Sequence, residues 1–346
     1  MSRGAKVVLC SHLGRPNGRV VEKLRLTKVS QRLAELLHHD ITMSPGCVGE
    51  EVENLVSSSG PHSLIMLENL RFHEGEEAND PAFAQALASL ADIYVTDAFA
   101  TAHRAHASTH GVARYLPSAA GLLLEHELEM LGKTLKNPKR PFNVVLGGAK
   151  VSDKIGMISH LSEKADAFLI GGGMSAAFLK AEGYSIGGSN CPDADVNKAQ
   201  DIIHMKNDAG FQLFTPTDVV IGNRFEEHAL STTVSASDIF EDWIVMDIGI
   251  DTSVRYNTVI QNSETILWNG PMGVFEWDQF SHGSRRVAAS IAESKGMSIT
   301  GGGSTAEVLY TLGLDGAVSH VSTGGGATLE YLEGHELPGI VVIPDA

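Results

Sequence analysis

In the segment 147–154 (GGAKVSDK) two lysines four residues apart follow a pair of glycines, a combination suited to holding a polyphosphate. Glycine lets backbone approach a ligand closely, and a following helix N-terminus offers free N–H groups and partial positive charge. The spacing predicts Lys150 and Lys154 on one helical face, where two ammonium groups repel unless an anion lies beside them. Three further segments share the order of apolar strand, glycines, then helix: 168–173 (FLIGGG), 299–303 (ITGGG) and 321–326 (VSTGGG). In an open parallel sheet such turns lie at the carboxyl edge, where ligands bind. One such turn often does no more than permit a tight connection, but four in a single stretch point to a ligand with phosphates.

The glycine patterns do not settle which nucleotide. Segments 301–306 (GGGSTA) and 171–176 (GGGMSA) formally match G-x-G-x-x-A, which keeps a dinucleotide-dependent dehydrogenase as an alternative. Neither opens a first βαβ unit, neither is followed at about 20 residues by a strand ending in an acidic ribose ligand, and a Walker A sequence is absent. A second cationic set lies earlier: His12 and Arg15 in 11–16 (SHLGRP), Arg71 in 68–73 (ENLRFH), and His103, Arg104 and His106 in 102–106 (AHRAH). Each follows a strand-like run, so their convergence would make a pocket for a small molecule with several negative charges, which arginine binds bidentately. Zinc suits them poorly, because H-R-A-H is poor ligand spacing and no cysteine or carboxylate set accompanies it. An anion pocket beside a polyphosphate-binding edge suggests phosphoryl transfer, in which positioning and charge neutralisation do most of the catalysis. No general base is needed if the acceptor is already an anion.

The elements that must position these groups alternate between strand and helix. Strand-like runs at 6–9, 63–67 and 93–95 interleave with helical patterns at Val29, Leu33, Leu36, Leu37 and at Phe83, Leu87, Leu90, so the first part reads as one parallel α/β domain. A helix through Leu124, Leu128, Leu131 and Leu135 carries Glu125, Glu127 and Glu129 on other faces and stops at Asn137-Pro138; the domain junction is expected along it. Further strands are expected at 143–146, 167–170, 218–221, 265–268, 297–300 and 320–322, giving a second parallel α/β domain. A length of 346 residues suits two domains. Hydrophobic residues at 43% and charged residues at 20% exclude whole-chain disorder, and no run is long enough for a membrane span or signal peptide. The net charge of −16 opposes binding to nucleic acid or an anionic membrane. Three scattered cysteines fit a reducing cytosol.

Seven ordered segments resemble those of the phosphoglycerate kinase family: 11–16 (SHLGRP), 68–73 (ENLRFH), 102–108 (AHRAHAS), 147–154 (GGAKVSDK), 171–174 (GGGM), 268–276 (WNGPMGVFE) and 319–327 (SHVSTGGGA). The resemblance implies two Rossmann-like parallel-sheet domains joined by a helix and hinge: a triose-phosphate-binding domain over 1–120, an interdomain helix over 121–137, a nucleotide-binding domain over 138–330 and a tail over 331–346 returning to the first domain. It implies reversible phosphoryl transfer between 1,3-bisphosphoglycerate and ADP, giving 3-phosphoglycerate and ATP, with Mg2+ arriving on the nucleotide and closure joining the two ligands. His12, Leu13, Gly14, Arg15, Arg71 and Arg104 resemble the family's triose site. Lys150 and Lys154 resemble its lysines on the nucleotide phosphates and transferring group. Gly171, Gly172 and Pro271 resemble the adenine pocket, Gly249, Asn269, Gly302, Gly303, Ser304 and Thr305 further nucleotide contacts, and Glu276 the ribose contact. Thr323, Gly324 and Gly325 resemble the turn that receives the phosphoryl group. A monomeric cytoplasmic enzyme without a nucleic-acid or membrane partner is expected.

Two departures from the family pattern stand out. Nothing precedes Met1 to supply the family's Asp-x-Asn strand or its following arginine, so the chain reads as short by one βα unit or more, its first domain incomplete at its start, its sheet left with exposed apolar edges. A catalytically impaired fragment that only binds ADP or ATP is therefore the alternative. The other departure is Ser304, which stands where the family usually has the aspartate that engages the metal.

Overall fold

The computed structural model describes residues 3–344, apart from the side chain of Thr134; the first two and last two positions of the expected first domain and tail lie outside the described residues. Contacts divide the chain into two units, Met1–Glu125 with Glu336–Ala346 (unit 1) and His126–His335 (unit 2).

Unit 1 runs β1 (Val7–Leu9), α1 (Thr27–Leu37), β2 (Thr42–Met43), α2 (Glu50–Ser58), β3 (Leu64–Met66), α3 (Glu74–Glu77), α4 (Pro81–Ala88), β4 (Tyr94–Thr96) and β5 (Ser118–Ala120). The alternation is as expected, and α4 starts where Asp80 accepts the Phe83 N–H at 2.8 Å ahead of a proline in the first turn. The strands, however, form two separate parallel ladders, β1-β3-β2 and β4-β5, rather than one sheet. Ile93 and Val95 beside the second ladder are 63% and 56% exposed, and the apolar stripe of α1 stays open at Val29, Leu36 and Leu37. Phe83, Leu87 and Leu90 do reach the core, packing with Ile65, Leu67 and Ala107.

The helix α5 (Leu122–Lys136) starts in unit 1, where Asp97 accepts the Leu123 and Leu124 N–H groups at 2.7 and 3.0 Å, and the division between the units falls within it. Unit 2 continues with β6 (Phe142–Leu146), α6 (Ile155–Leu161), β7 (Ala167–Ile170), α7 (Ser175–Ala181), α8 (Asp193–Ala209), β8 (Gln212–Phe214), β9 (Asp218–Gly222), β10 (Ser231–Ser235), β11 (Ile244–Ile248), α9 (Ile250–Gln261), β12 (Thr265–Asn269), α10 (His282–Glu293), β13 (Met297–Gly301), α11 (Gly303–Leu312), β14 (His320–Val321) and α12 (Gly326–Leu332). A last short helix, α13 (Pro338–Val341), is tied to unit 1 by Gly339 N–H donating to the Ala102 carbonyl at 2.8 Å.

The main sheet of unit 2 is parallel with strand order β14-β13-β12-β6-β7-β8. Its central strands are buried on both faces, with Val145, Leu169, Ile266 and Trp268 packed against Tyr256, Val287 and Leu309. That is why they read as continuous apolar runs. The run at 218–221 is a strand but belongs elsewhere: β9 is the centre of an antiparallel sheet of order β10-β9-β11. Sequence alternation does not separate the two sheets, because β9 is as apolar and nearly as buried as a parallel core strand.

Candidate functional site

The four glycine turns of unit 2 lie where β6, β7, β13 and β14 end, and three of its loops are laced together. Gly147 N–H donates to the Asn269 carbonyl and Gly148 N–H to the Pro271 carbonyl, each at 3.0 Å, while Gly172 N–H reaches the Met272 carbonyl at 2.7 Å. No side chain could replace Gly147 or Gly172 without displacing backbone: a Cβ at Gly147 would lie 2.0 Å from the Pro271 oxygen, and Gly172 (φ +66°) would place one 2.5 Å from the Gly148 nitrogen. The turns of β6, β7 and β12 thus form one continuous ledge that brings together Gly171, Gly172 and Pro271.

Lys150 and Lys154 do not share a helical face as the spacing predicts. Lys150 is exposed, in extended conformation ahead of a 3₁₀ turn at Val151–Asp153, and Lys154 lies between that turn and α6. The glycine pair leads into a 3₁₀ turn rather than directly into an α-helix, and this separates the two side chains. Lys154 is 9% exposed, and its Nζ donates to Asn269 Oδ1 at the end of β12. Burial holds its pKa below the usual lysine value, with Asp153 and Glu333 acting weakly the other way. Asn269 is itself 1% exposed, and its Nδ2 has no hydrogen-bond partner. That amide faces the β13 turn: a Cβ on Gly301 or Gly302 would lie 3.2 or 3.5 Å from it. A buried donor left unpaired is costly, so the Asn269 amide is set to meet an acceptor at this turn.

The remaining predicted nucleotide residues divide by exposure. Gly303, Ser304 and Glu276 are exposed, the first two in the first turn of α11 with Gly302 as its cap at φ +92°. Thr305 is fully buried and its hydroxyl accepts the Gly270 N–H at 2.7 Å, so it supports the β12 turn instead of offering a free group. Gly249 is buried at the start of α9, where Asp218 accepts the N–H groups of Asp251 and Thr252 at 3.1 and 2.8 Å. A Cβ there would meet Asp218 Oδ2 at 2.0 Å. Gly324 and Gly325 (φ +53°) lead into α12.

Unit 1 gathers the basic residues. Arg71 is 4% exposed; its Nη1 donates to the Gly14 carbonyl at 2.8 Å, while Nε and Nη2 make no hydrogen bond, Glu77 Oε1 lying 3.2 Å from Nε at a poor angle. Gly14 holds φ +65°, and the Leu13 carbonyl accepts from Asn69 Nδ2 at 2.8 Å, which fixes the 11–16 loop against the loop of Arg71. Burial first, then Arg71, Arg104 and His106, push the His12 pKa down to about 4, so His12 is a neutral hydrogen-bonding group at pH 7 and the positive charge rests on the arginines. Arg15 is exposed and Arg104 half-buried, its Nε donating to His103 Nε2 at 3.1 Å.

Sequence reasoning missed two buried carboxylates, one in each unit. Glu76 is 3% exposed and accepts Ser108 N–H and Oγ–H at 3.1 and 2.6 Å; burial raises its pKa, those bonds opposing. Glu127, expected on an outer face of α5, is wholly buried. It accepts from His320 Nε2 at 2.8 Å and from Thr323 N–H and Oγ–H at 2.7 and 2.8 Å. Its neighbour Glu129 is exposed and pairs with Lys133. Only the donors at the end of β14 distinguish the two, and nothing local to α5 signals them. Burial works to raise the Glu127 pKa, but the hydrogen bonds from His320, Thr323 and Ser322 outweigh it and leave it below the usual value. A depressed folded pKa contributes stability that is complete above the unfolded value and lost as pH falls through the folded one. Glu127→Gln is therefore expected to destabilise the protein by about 1–3 kcal/mol at pH 7. The gap to wild type should narrow below the model-peptide value of 4.5, as followed by thermal unfolding at both pH values.

Residues 1–335 match the family model described as phosphoglycerate kinase. A phosphoglycerate kinase of Moorella thermoacetica is 48% identical over 345 residues, covering 100% of this chain and 88% of the relative, and one of Dictyoglomus turgidum is 51% identical over 347 residues, covering 100% and 87%. Among solved structures, phosphoglycerate kinase from Coxiella burnetii superposes with a TM-score of 0.89 at 39% identity, and that from Pyrococcus horikoshii with 0.86 at 29%, each covering 99% of this chain and 87% of the other.

Proposed function

Because the chain belongs to the phosphoglycerate kinase family and is thus a phosphotransferase, we propose that its two groups of residues divide the ligands of that reaction between them. Unit 1 takes 3-phosphoglycerate or 1,3-bisphosphoglycerate through His12, Arg15, Arg71 and Arg104, with Leu13 and Gly14 shaping the loop. Unit 2 takes ADP or ATP. Gly171, Gly172 and Pro271 line the adenine, Gly249 and Glu276 lie toward adenine and ribose, and Asn269 with Gly302, Gly303 and Ser304 faces the phosphates. The observation that carries this reading is Lys154. A lysine 9% exposed with a neutral amide as its hydrogen-bond partner is a buried cation awaiting an anion, and no carboxylate lies within ion-pair distance of it among the described residues.

In the transfer from 1,3-bisphosphoglycerate, a terminal phosphate oxygen of ADP attacks the acyl phosphate and the carboxylate of 3-phosphoglycerate leaves. Both attacking and leaving oxygens are anionic, so no proton needs to be moved. Lys154 then neutralises charge on the three equatorial oxygens of the moving group, where it counts most. Lys150, exposed and unhindered, meets the same phosphates by swinging over them. In the turn at Thr323, Gly324 and Gly325 the first two N–H groups are held by Glu127 and the Ser322 hydroxyl, which leaves the Gly325 N–H to meet the transferring phosphoryl. Separate calorimetric titrations with ADP and 3-phosphoglycerate test the division: each is expected to bind without the other, and failure of either to bind alone would remove its site.

Magnesium fits this site as a passenger of the nucleotide. No group of three or more His, Cys, Asp or Glu side chains converges to hold a metal among the described residues, and Ser304 offers a neutral hydroxyl beside the phosphate positions. Bound to the phosphate oxygens, the ion would offset their developing charge. Ser304→Asp is expected to weaken free ADP and to strengthen Mg-ADP relative to it, because the added charge repels bare phosphate but can ligate the cation. ADP affinity with and without magnesium in both proteins gives the coupling as a double difference. A coupling of zero would show that residue 304 does not face the metal. We further read the protein as a monomer of the cytoplasm; sedimentation at working concentration checks the first.

A further inference from the structure

Asp247 has no role in the assignments above, yet it lies behind the segments that bear them. It is 2% exposed, on β11 beside a bulge that shifts the ladder register between Val245 and Asp247. Its Oδ2 accepts the Gly283 N–H in the first turn of α10 at 2.7 Å, and its Oδ1 accepts the Ile248 N–H at 2.9 Å. The carboxylate also fills the space that side chains at Gly273 and Gly283 would need, a Cβ on either coming within 2.3 Å of Oδ1.

From these contacts a continuous path leads to the ledge. Ser284, next to Gly283, accepts the Met272 N–H on its hydroxyl at 2.9 Å. The Met272 carbonyl accepts from Gly172 at 2.7 Å, and the Pro271 carbonyl from Gly148 at 3.0 Å. Two residues beyond Asp247 its own strand gives way to Gly249. A buried carboxylate without a cation is a poor way to gain stability, since an apolar residue of the same size packs at lower cost. Burial pushes the Asp247 pKa up to about 7, opposed only by the N–H bonds of Gly283 and Ile248.

We propose that Asp247 is a positioning residue for the nucleotide: Oδ2 fixes the start of α10, Oδ1 fixes the carboxylate against its own strand so that it fills the space beside Gly273, and through Ser284 and Met272 this holds Pro271 where adenine requires it. The proposal rests on the reading that unit 2 binds ADP and ATP.

The test compares wild type, Asp247→Asn, Asp247→Ala and a control, Ile202→Ala, which removes a fully buried side chain on α8 away from these contacts. Kd for ADP, KM for each substrate, kcat and the thermal midpoint are measured for all four. Asp247→Asn, which keeps one acceptor oxygen, is expected to raise Kd and KM for ADP roughly fivefold, and Asp247→Ala roughly tenfold or more. The KM for the triose and kcat at saturating nucleotide should move less than about threefold. The control should lower the thermal midpoint comparably without raising the nucleotide KM. Unchanged nucleotide KM in the Asp247 variants, or a control that raises it equally, would overturn the proposal. If Asp247→Ala does not fold, the nearly isosteric Asp247→Asn decides alone. A wild type that binds no ADP would refute the nucleotide reading itself, whereas normal ADP binding in wild type and both variants would refute only the positioning role.

Discussion

Replacing Lys154 by alanine is expected to lower kcat roughly 10²–10³-fold while leaving ADP affinity within a few-fold. The asymmetry follows from where the ammonium lies. On the proposed assignment ADP in its ground state is shared among several groups of unit 2, so the loss of one cation is spread over them. Charge on the moving phosphoryl is met chiefly by donors aimed at it, and Lys154, 9% exposed and hydrogen-bonded to Asn269 Oδ1, is held in place before the reaction begins. Burial already favours its neutral form, so the arriving negative charge restores what desolvation takes away. The measurement is steady-state kcat set against calorimetric Kd for ADP. An unchanged kcat would detach Lys154 from the reacting group, and an equal loss in both would make it an ordinary phosphate contact.

Arg71→Ala is expected to weaken 3-phosphoglycerate roughly 10²–10⁴-fold, taking two charge-assisted hydrogen bonds at the usual strength, with ADP affinity unaffected. Arg71 is 4% exposed and one of its nitrogens is spent on the Gly14 carbonyl, which orients the guanidinium; Nε and Nη2 remain buried without a hydrogen bond, Nε having only Glu77 Oε1 at 3.2 Å beside it. Two unsatisfied donors on a buried planar cation match a carboxylate or phosphate bidentately. For the same reason Arg71→Lys should recover little, since a lysine cannot hold Gly14 and present a two-pronged face together. Parallel titrations with the two ligands read the result. Comparable losses for both would mean that the loop at 11–16 had lost its support and that Arg71 serves folding.

Much of this was legible from residue order. The βα alternation, the glycine turns at strand ends and the helix stop at Asn137-Pro138 are local signals, each fixed by propensity or by backbone freedom within a few residues. Long-range pairing was not. The run at 218–221 was recognisable as a strand, but its membership of an antiparallel sheet depends on β10 and β11, the second of which lies more than twenty residues downstream. The division of the unit 1 strands into two ladders depends likewise on which edges meet.

By itself the sequence determined the chemistry available: arginines and histidines after the early strands, lysines and glycines after the later ones, and a family resemblance carried by seven ordered segments. Those are properties of residue type and spacing, which do not depend on packing. Only the tertiary structure decided which of these groups are committed elsewhere. It put Lys154 in the interior and Lys150 outside although the two are four residues apart, and it spent the Thr305 hydroxyl on Gly270 while leaving the Asn269 amide free. It also buried Glu127 and exposed Glu129 on one helix. Burial and hydrogen-bond satisfaction are set by partners tens to hundreds of residues away, such as His320 for Glu127, and no local pattern contains them.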